Sequence, residues 1–330
     1  MSRSFYLTLR VLPAPVRPQI GLAYLLARAT DTIADTELVS VERRLAALAE
    51  LRAAILEEDS ARAKTTPDFG ELATAQAAPA GRGSSSERIL LERIGNALAL
   101  LRETSPSDRA LTRAVLDTIT SGQTLDLQRF GAASAERIVA LRTDAELDDY
   151  TYRVAGCVGE FWTRMCRAHL FPNATLDDAV FLADGVRFGK GLQLVNILRD
   201  LPRDLRQGRC YLPAVALAQI GLQSVDLLLP ASEPKLRPLY DRWLDIAEAH
   251  LAAGWNYTNT IPRRQIRVRL ACAWPILIGA KTLKQLRREN VLDPNRRIKV
   301  SRAEVRGIIF QTVVRYAFAT AWKSLFTRTK

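Results

Sequence analysis

The period of its apolar residues constrains this chain most. In "LVSVERRLAALAELRAAILEE" (38–58) and "SSERILLERIGNALALLRE" (85–103), apolar positions recur at three- and four-residue steps. That period marks helices that bury one face. Thr143 and Glu146 form a capping-box pair that opens a helix through "AELDDYTYRVAGCVGEFWTRMCRAHL" (145–170), and Pro172 closes it. Thr175 precedes another long helical run, "LDDAVFLADGVRFGKGLQLVNILRD" (176–200). Alternating strand patterns are scarce, and no Gly-rich strand-to-helix turn of the dinucleotide-binding kind occurs. The expectation is an all-α fold in a single domain, 1–330. Its flexible stretch is a surface loop at about 64–86, rich in Ala, Gly, Ser and Thr. Gly156 and Gly159 sit inside a helix, where they let another group approach the backbone closely. Gly185, Gly189 and Gly191 are read as sites of tight helix packing.

Composition narrows the chemistry. Only His169 and His250 are present, which disfavours a His-rich zinc site or a Ser-His-Asp hydrolase. Both are read as surface or packing residues. Four dispersed cysteines without CxxC spacing point to reduced thiols in a cytoplasmic setting. No signal peptide is apparent, since Arg10 and Pro13 interrupt the first apolar run, and no uncharged stretch is long enough to span a membrane. The 47 lysines and arginines against 35 acids give a net charge of +12, which favours anionic partners. The basic amphipathic segment at about 303–330 reads equally as a helix on a membrane surface or as a terminal core helix with a solvated basic side.

Against this basic background two acidic clusters stand out. "ATDTIADTE" (29–37) follows the apolar run "IGLAYLLA" and sets Asp31 and Asp35 four residues apart. Four residues advance an α-helix by about 400°, so the two carboxylates project within about 40° of each other. A lone pair of this kind is most simply a solvated helix edge. The second cluster, "QLVNILRDLPRD" (193–204), places Asn196, Asp200 and Asp204 at four-residue steps, with Gln193 three before Asn196. Two oxygen-donor edges at the ends of apolar helices suit Mg²⁺, which bridges a few carboxylates to substrate phosphates. Arg28 and Arg199 could complete such a diphosphate cradle. Pro202 removes a backbone N–H between Asp200 and Asp204, so the helix is expected to end or kink there and to shift Asp204.

"SRSFYLTLRVLP", "YLLARATDTIAD", "YTYRVAGCVGEFW", "GLQLVNILRDLPRDLRQGRCYLP", "RLACAWPILIGAKTL" and "RIKVSRAEV" occur in this order. Together they resemble the squalene/phytoene synthase family of head-to-head prenyl transferases, with the last pieces closer to squalene synthases. The resemblance implies an isoprenoid-synthase-type helical bundle around a central apolar cavity with two facing DxxxD motifs. It implies condensation of two molecules of farnesyl diphosphate to presqualene diphosphate, then reduction to squalene with NADPH (or NADH). Carried over by position, Asp31, Asp35, Asn196, Asp200 and Asp204 would be Mg²⁺ ligands. Ser2, Arg3, Ser4, Tyr24, Arg28, Gln193 and Arg199 would meet substrate, chiefly its diphosphate. Tyr150 would act near the reacting carbons, by taking a proton or by facing positive charge with its ring. Val154, Ala155, Val158 and Gly159 would line the prenyl tunnel, and Lys299 and Arg302 would hold the nicotinamide cofactor's phosphates. Phe161 and Trp162 are read as core, and Arg267 and Arg269 as solvated or facing the cavity mouth.

Three departures from the family pattern matter. Ala34 stands where an extra acid is common, Pro202 interrupts the second motif, and the match opens at Ser2 with no covering lead-in. Rival readings are a dehydrosqualene or phytoene synthase that needs no reductant, and a terpene cyclase. A basic helical module binding nucleic acid or a membrane would give no reason for two acidic motifs, so no nucleic acid partner is expected.

Overall fold

The computed structural model describes residues 8–36, 38–57, 67–77, 85–296 and 298–329. The described residues are almost entirely helical, and their one sheet is a two-residue parallel pair. The described residues fold as two compact units, 14–131 and 132–329, with residues 8–13 joining the second.

The first unit holds α1 (Arg17–Ala34), α2 (Val41–Leu56), α3 (Gly70–Ala77), α4 (Ser85–Glu92), α5 (Ile94–Glu103) and α6 (Pro106–Phe130). Helices α2 and α6 start where the sequence supplies a cap. The Ser40 hydroxyl accepts from Arg43 N–H, and Ser105 accepts from Asp108 N–H with Pro106 in the first turn. Leu26, Ile33, Leu48 and Leu51 are completely buried and form the apolar faces that the period anticipated. The expected loop at about 64–86 is corrected in part. Residues 70–77 form helix α3, anchored by buried Phe69, Leu72 and Ala73. Its small residues hid an apolar anchor that begins one position before the helix.

The second unit holds β1 (Val139–Ala140), α7 (Asp144–Thr151), α8 (Cys157–Leu170), α9 (Asp178–Arg206) and β2 (Arg209–Cys210). It continues with α10 (Ala214–Gln219), α11 (Glu233–Thr260), α12 (Ile266–Leu286), α13 (Arg302–Arg315) and α14 (Ala319–Thr329). Thr143 caps α7 by accepting from Glu146 N–H, as the spacing anticipated. One continuous helix does not follow, because a π-helical turn over Tyr152–Gly156 separates α7 from α8. Core packing centres on Phe181 and Tyr257, whose rings stack 4.3 Å apart, with Phe171, Cys166 and Cys272 around them. Phe161 is buried and Trp162 packs on this cluster, so both serve the core. All four cysteines are free and buried.

The basic C-terminal segment divides at residues 316–318. In α14, Trp322, Leu325 and Phe326 are buried, and Trp322 and Phe326 stack on Trp255. That half is a terminal core helix. In α13 the outward face leaves Phe310 69% exposed, and Phe318 just beyond it is 66% exposed. Arg269 is corrected from a solvated to a buried residue. It donates to Asn259 Oδ1 at 2.9 Å and lies between the rings of Tyr316 and Trp322. No described helix is long and apolar enough to cross a membrane.

Candidate active site

In the first unit, Tyr24, Arg28, Asp31 and Asp35 follow one edge of α1, and the Asp35 N–H closes the helix on the Asp31 carbonyl at 2.9 Å. Arg28 organises the cluster. One guanidinium nitrogen donates to the Asp31 carboxylate and another to Glu87 of α4. Glu87 was not legible as a site residue, because it lies in an ordinary helical repeat 59 positions from its partner. Protein packed around the Asp31 carboxyl pushes its pKa up to about 6, and the like charge of Asp35 adds to this while Arg28 opposes it. Since 44% of the Asp31 side chain stays open, water screens part of that penalty. Burial likewise raises the Tyr24 phenol. The result is a concentration of negative charge that one arginine only partly offsets.

In the second unit, Gln193, Asn196, Asp200 and Asp204 share one edge of α9, which runs unbroken from Asp178 to Arg206. The helix does not end at Pro202, as one of the two expected outcomes had it, and the reason is specific. Proline cannot donate to the carbonyl four residues back, which is that of Leu198. The buried Tyr240 of α11 donates its hydroxyl to that carbonyl instead, at 2.9 Å. An orphaned acceptor is thereby satisfied, and Asp204 stays on the helix. Arg199 grips Asp200 with two nitrogens, at 2.9 and 2.6 Å. Asn196 is exposed and its amide donates to Gln193 Oε1 at 3.5 Å.

The end of α9 also positions an aromatic pair. Gly208 adopts φ +78°, which a residue with a side chain resists, and turns the chain into β2. β2 pairs with β1 just ahead of α7, and Tyr211 comes to stack on Tyr150 with ring centroids 4.7 Å apart. Tyr211 was missed because its role depends on this two-residue pairing. The π turn follows directly on Tyr150 and Thr151, and π turns recur at functional sites.

Val154, Ala155, Val158 and Gly159 are half-buried along the π turn and α8. The close approach anticipated at Gly159 is made by another helix. A Cβ there would lie 2.7 Å from the Gly185 carbonyl carbon, and one on Gly189 would lie 2.7 Å from that of Ala155. Backbone thus meets backbone where α8 and the π turn cross α9. Lys299 and Arg302 are exposed on either side of Ser301, which caps α13. Ser2, Arg3 and Ser4 lie outside the described residues. His250 is a half-buried packing residue, pushed down to about 4 by burial and by Arg187 and Lys190.

Both acidic edges offer oxygen donors only, the set that a hard cation such as Mg²⁺ takes. Among the described residues no three His, Cys, Asp or Glu side chains gather to hold a metal by themselves. A cation here would therefore complete its shell with water and phosphate oxygens, as Mg²⁺ ordinarily does.

The family model for squalene/phytoene synthase matches residues 1–304. Presqualene diphosphate synthase of Rhodopseudomonas palustris is 26% identical over 317 residues, covering 95% of this chain and 94% of that protein. 15-cis-Phytoene synthase of Enterobacter agglomerans is 39% identical over 143 residues, 42% of this chain and 43% of the relative. The solved structure of TcSQS with the ligand E5700 shares the fold at a TM-score of 0.77 and 20% identity, over 100% of this chain and 87% of that one. A dehydrosqualene synthase in complex with ligand matches at 0.63 and 21% identity, over 96% and 92% of the two chains.

Proposed function

This chain belongs to the squalene/phytoene synthase family of prenyltransferases, and on that premise we propose that it joins two farnesyl diphosphates head to head to presqualene diphosphate and reduces this to squalene with NADPH. The observation that carries the proposal is the α9 edge, with Asn196, Asp200 and Asp204 on one uninterrupted helix and Arg199 beside them. Likeness to presqualene diphosphate synthase along nearly the whole chain adds support.

In this reading Asp31, Asp35, Asn196, Asp200 and Asp204 hold Mg²⁺. When bound, magnesium supplies the positive charge that grips the diphosphate and eases its departure. Arg28 and Arg199 exchange part of their carboxylate bonding for diphosphate oxygens, as planar guanidiniums suit both. Val154, Ala155 and Val158 line the prenyl chain and exclude water, which would otherwise quench an allylic cation. A second prenyl chain held in place then supplies the attacking double bond. Tyr150 offers its ring to the positive charge or its oxygen to the departing proton, with Tyr211 stacked behind it. Lys299 and Arg302 bind phosphates of the nicotinamide cofactor. Peripheral membrane contact through Phe310 and Phe318, flanked by Arg306 and Lys323, belongs to the same proposal.

A second reading, release at presqualene diphosphate without reduction, is favoured by the Rhodopseudomonas palustris relative. Incubation with farnesyl diphosphate and Mg²⁺, with and without NADPH, followed by product mass, decides between them. Squalene formed only with NADPH supports the proposal. Presqualene diphosphate in both arms supports the second reading, and no product longer than the substrate rejects both.

A further inference from the structure

α12, α13 and α14 line an open pocket of about 650 Å³, within the size range of small-molecule sites, and no residue of either acidic motif is in its wall. Five cations line it, Lys281, Lys284, Arg288, Arg315 and Arg328, against one carboxylate, Glu304. That carboxylate is already engaged. It accepts from Ser301 N–H at 2.8 Å as part of the α13 capping box and pairs with Lys281 at 3.0 Å. The guanidiniums of Arg288, Arg315 and Arg328 have no hydrogen-bond or ion-pair partner among the described residues. One more polar group in the wall is unsatisfied, since Gln285 Oε1 is buried without a partner.

Arg288 and Arg328 are exposed and Arg315 is half-buried, so water screens their mutual repulsion, and all three guanidiniums stay available to an anion at the pocket mouth. Guanidiniums are the preferred partners of phosphate, which they grip with two parallel bonds. We propose that this pocket is a binding site for a phosphate-rich anion carrying at least two negative charges, separate from the diphosphate cradle of the acidic motifs. Arg315 and Arg328 bind its phosphates from the two C-terminal helices, Arg288 binds from the end of α12, and Gln285 meets a hydroxyl or bridging water. The anion is either a free diphosphate-type molecule or the headgroup of an anionic lipid. This assignment is independent of the prenyl chemistry above.

The test is calorimetric titration of the full chain with inorganic pyrophosphate while divalent metal is chelated, so that metal-dependent binding at the acidic motifs is silent. Wild type is expected to bind, and Arg315→Gln and Arg328→Gln each to weaken binding about tenfold, the scale of losing a hydrogen bond to a charged group. Flotation with phosphatidylglycerol vesicles, against phosphatidylcholine alone, distinguishes the source. Vesicle binding that the arginine variants lose and that pyrophosphate does not reproduce assigns the lipid headgroup. Pyrophosphate binding without vesicle preference assigns the free anion. The proposal is overturned if neither probe binds, or if binding survives Arg315→Gln with Arg328→Gln. Circular dichroism checks folding, and Arg315→Lys, which keeps the charge but loses the fork, should restore affinity only partly.

Discussion

Replacing Gly159 with alanine tests the packing on which the second unit depends. The added methyl would sit 2.7 Å from the Gly185 carbonyl carbon and 3.3 Å from Val186 N. Carbon pairs rest at about 3.5–4.0 Å, so the two helices must part by about 1 Å. Every obstructing atom is backbone, so no side-chain rotation relieves the clash. Overpacking of this severity costs about 3 kcal/mol, the upper end of the usual range. Alanine recovers about 1 kcal/mol through its better helix propensity, leaving a net loss of about 2 kcal/mol. For a unit of this size that lowers the midpoint of thermal unfolding by about 4–8 °C. The matched control is Gly21→Ala in α1, where an added Cβ meets nothing within 4 Å. There the same substitution should stabilise by about 1 kcal/mol. Thermal unfolding followed by circular dichroism reads both. A Gly159→Ala midpoint at or above wild type would refute the crossing as described.

Asp31→Asn should separate stability from function. The carboxyl is held near 6 in the fold against about 4 when unfolded, so the folded state binds the proton more firmly. Its stabilising share is complete below about pH 4 and is lost as pH rises through about 6. At pH 8 the variant should therefore be the more stable, by about 1 kcal/mol after allowing for solvent screening, while prenyl transfer is lost. A lower unfolding midpoint at pH 8 would contradict this. Wild-type activity should also decline as pH falls below about 6, because a protonated Asp31 is a poor ligand, and a pH–rate profile checks it. Tyr240→Phe strands the Leu198 carbonyl beside Pro202 and should cost about 1–3 kcal/mol. It should also raise the Mg²⁺ concentration needed for half-maximal rate, and an unchanged Mg²⁺ dependence would argue against its hold on the acidic edge.

The helix edges were legible because four-residue spacing fixes side-chain direction whatever surrounds the helix, as at Asp31/Asp35 and Asp200/Asp204. The cap at Thr143 was legible for the same local reason, and small residues at Gly159 and Gly185 marked a close crossing. What the sequence concealed depended on distant partners. Pro202 looked like a helix end because the hydroxyl that replaces its missing donor comes from Tyr240, on another helix. Arg269 looked solvated until Tyr316 and Trp322 closed over it. The π turn at Tyr152–Gly156 leaves the apolar period almost undisturbed, and the anchor at Phe69 was masked by the Ala-rich stretch that follows it.

The most direct measurement is the rate of prenyl transfer from farnesyl diphosphate against Mg²⁺ concentration in wild type, Asp31→Asn and Asp200→Asn. If both acidic edges serve one metal-assisted departure of diphosphate, either variant should lose roughly 100-fold or more in rate, and chelation should silence wild type. Full activity in both variants, with an unaltered Mg²⁺ dependence, would contradict the account.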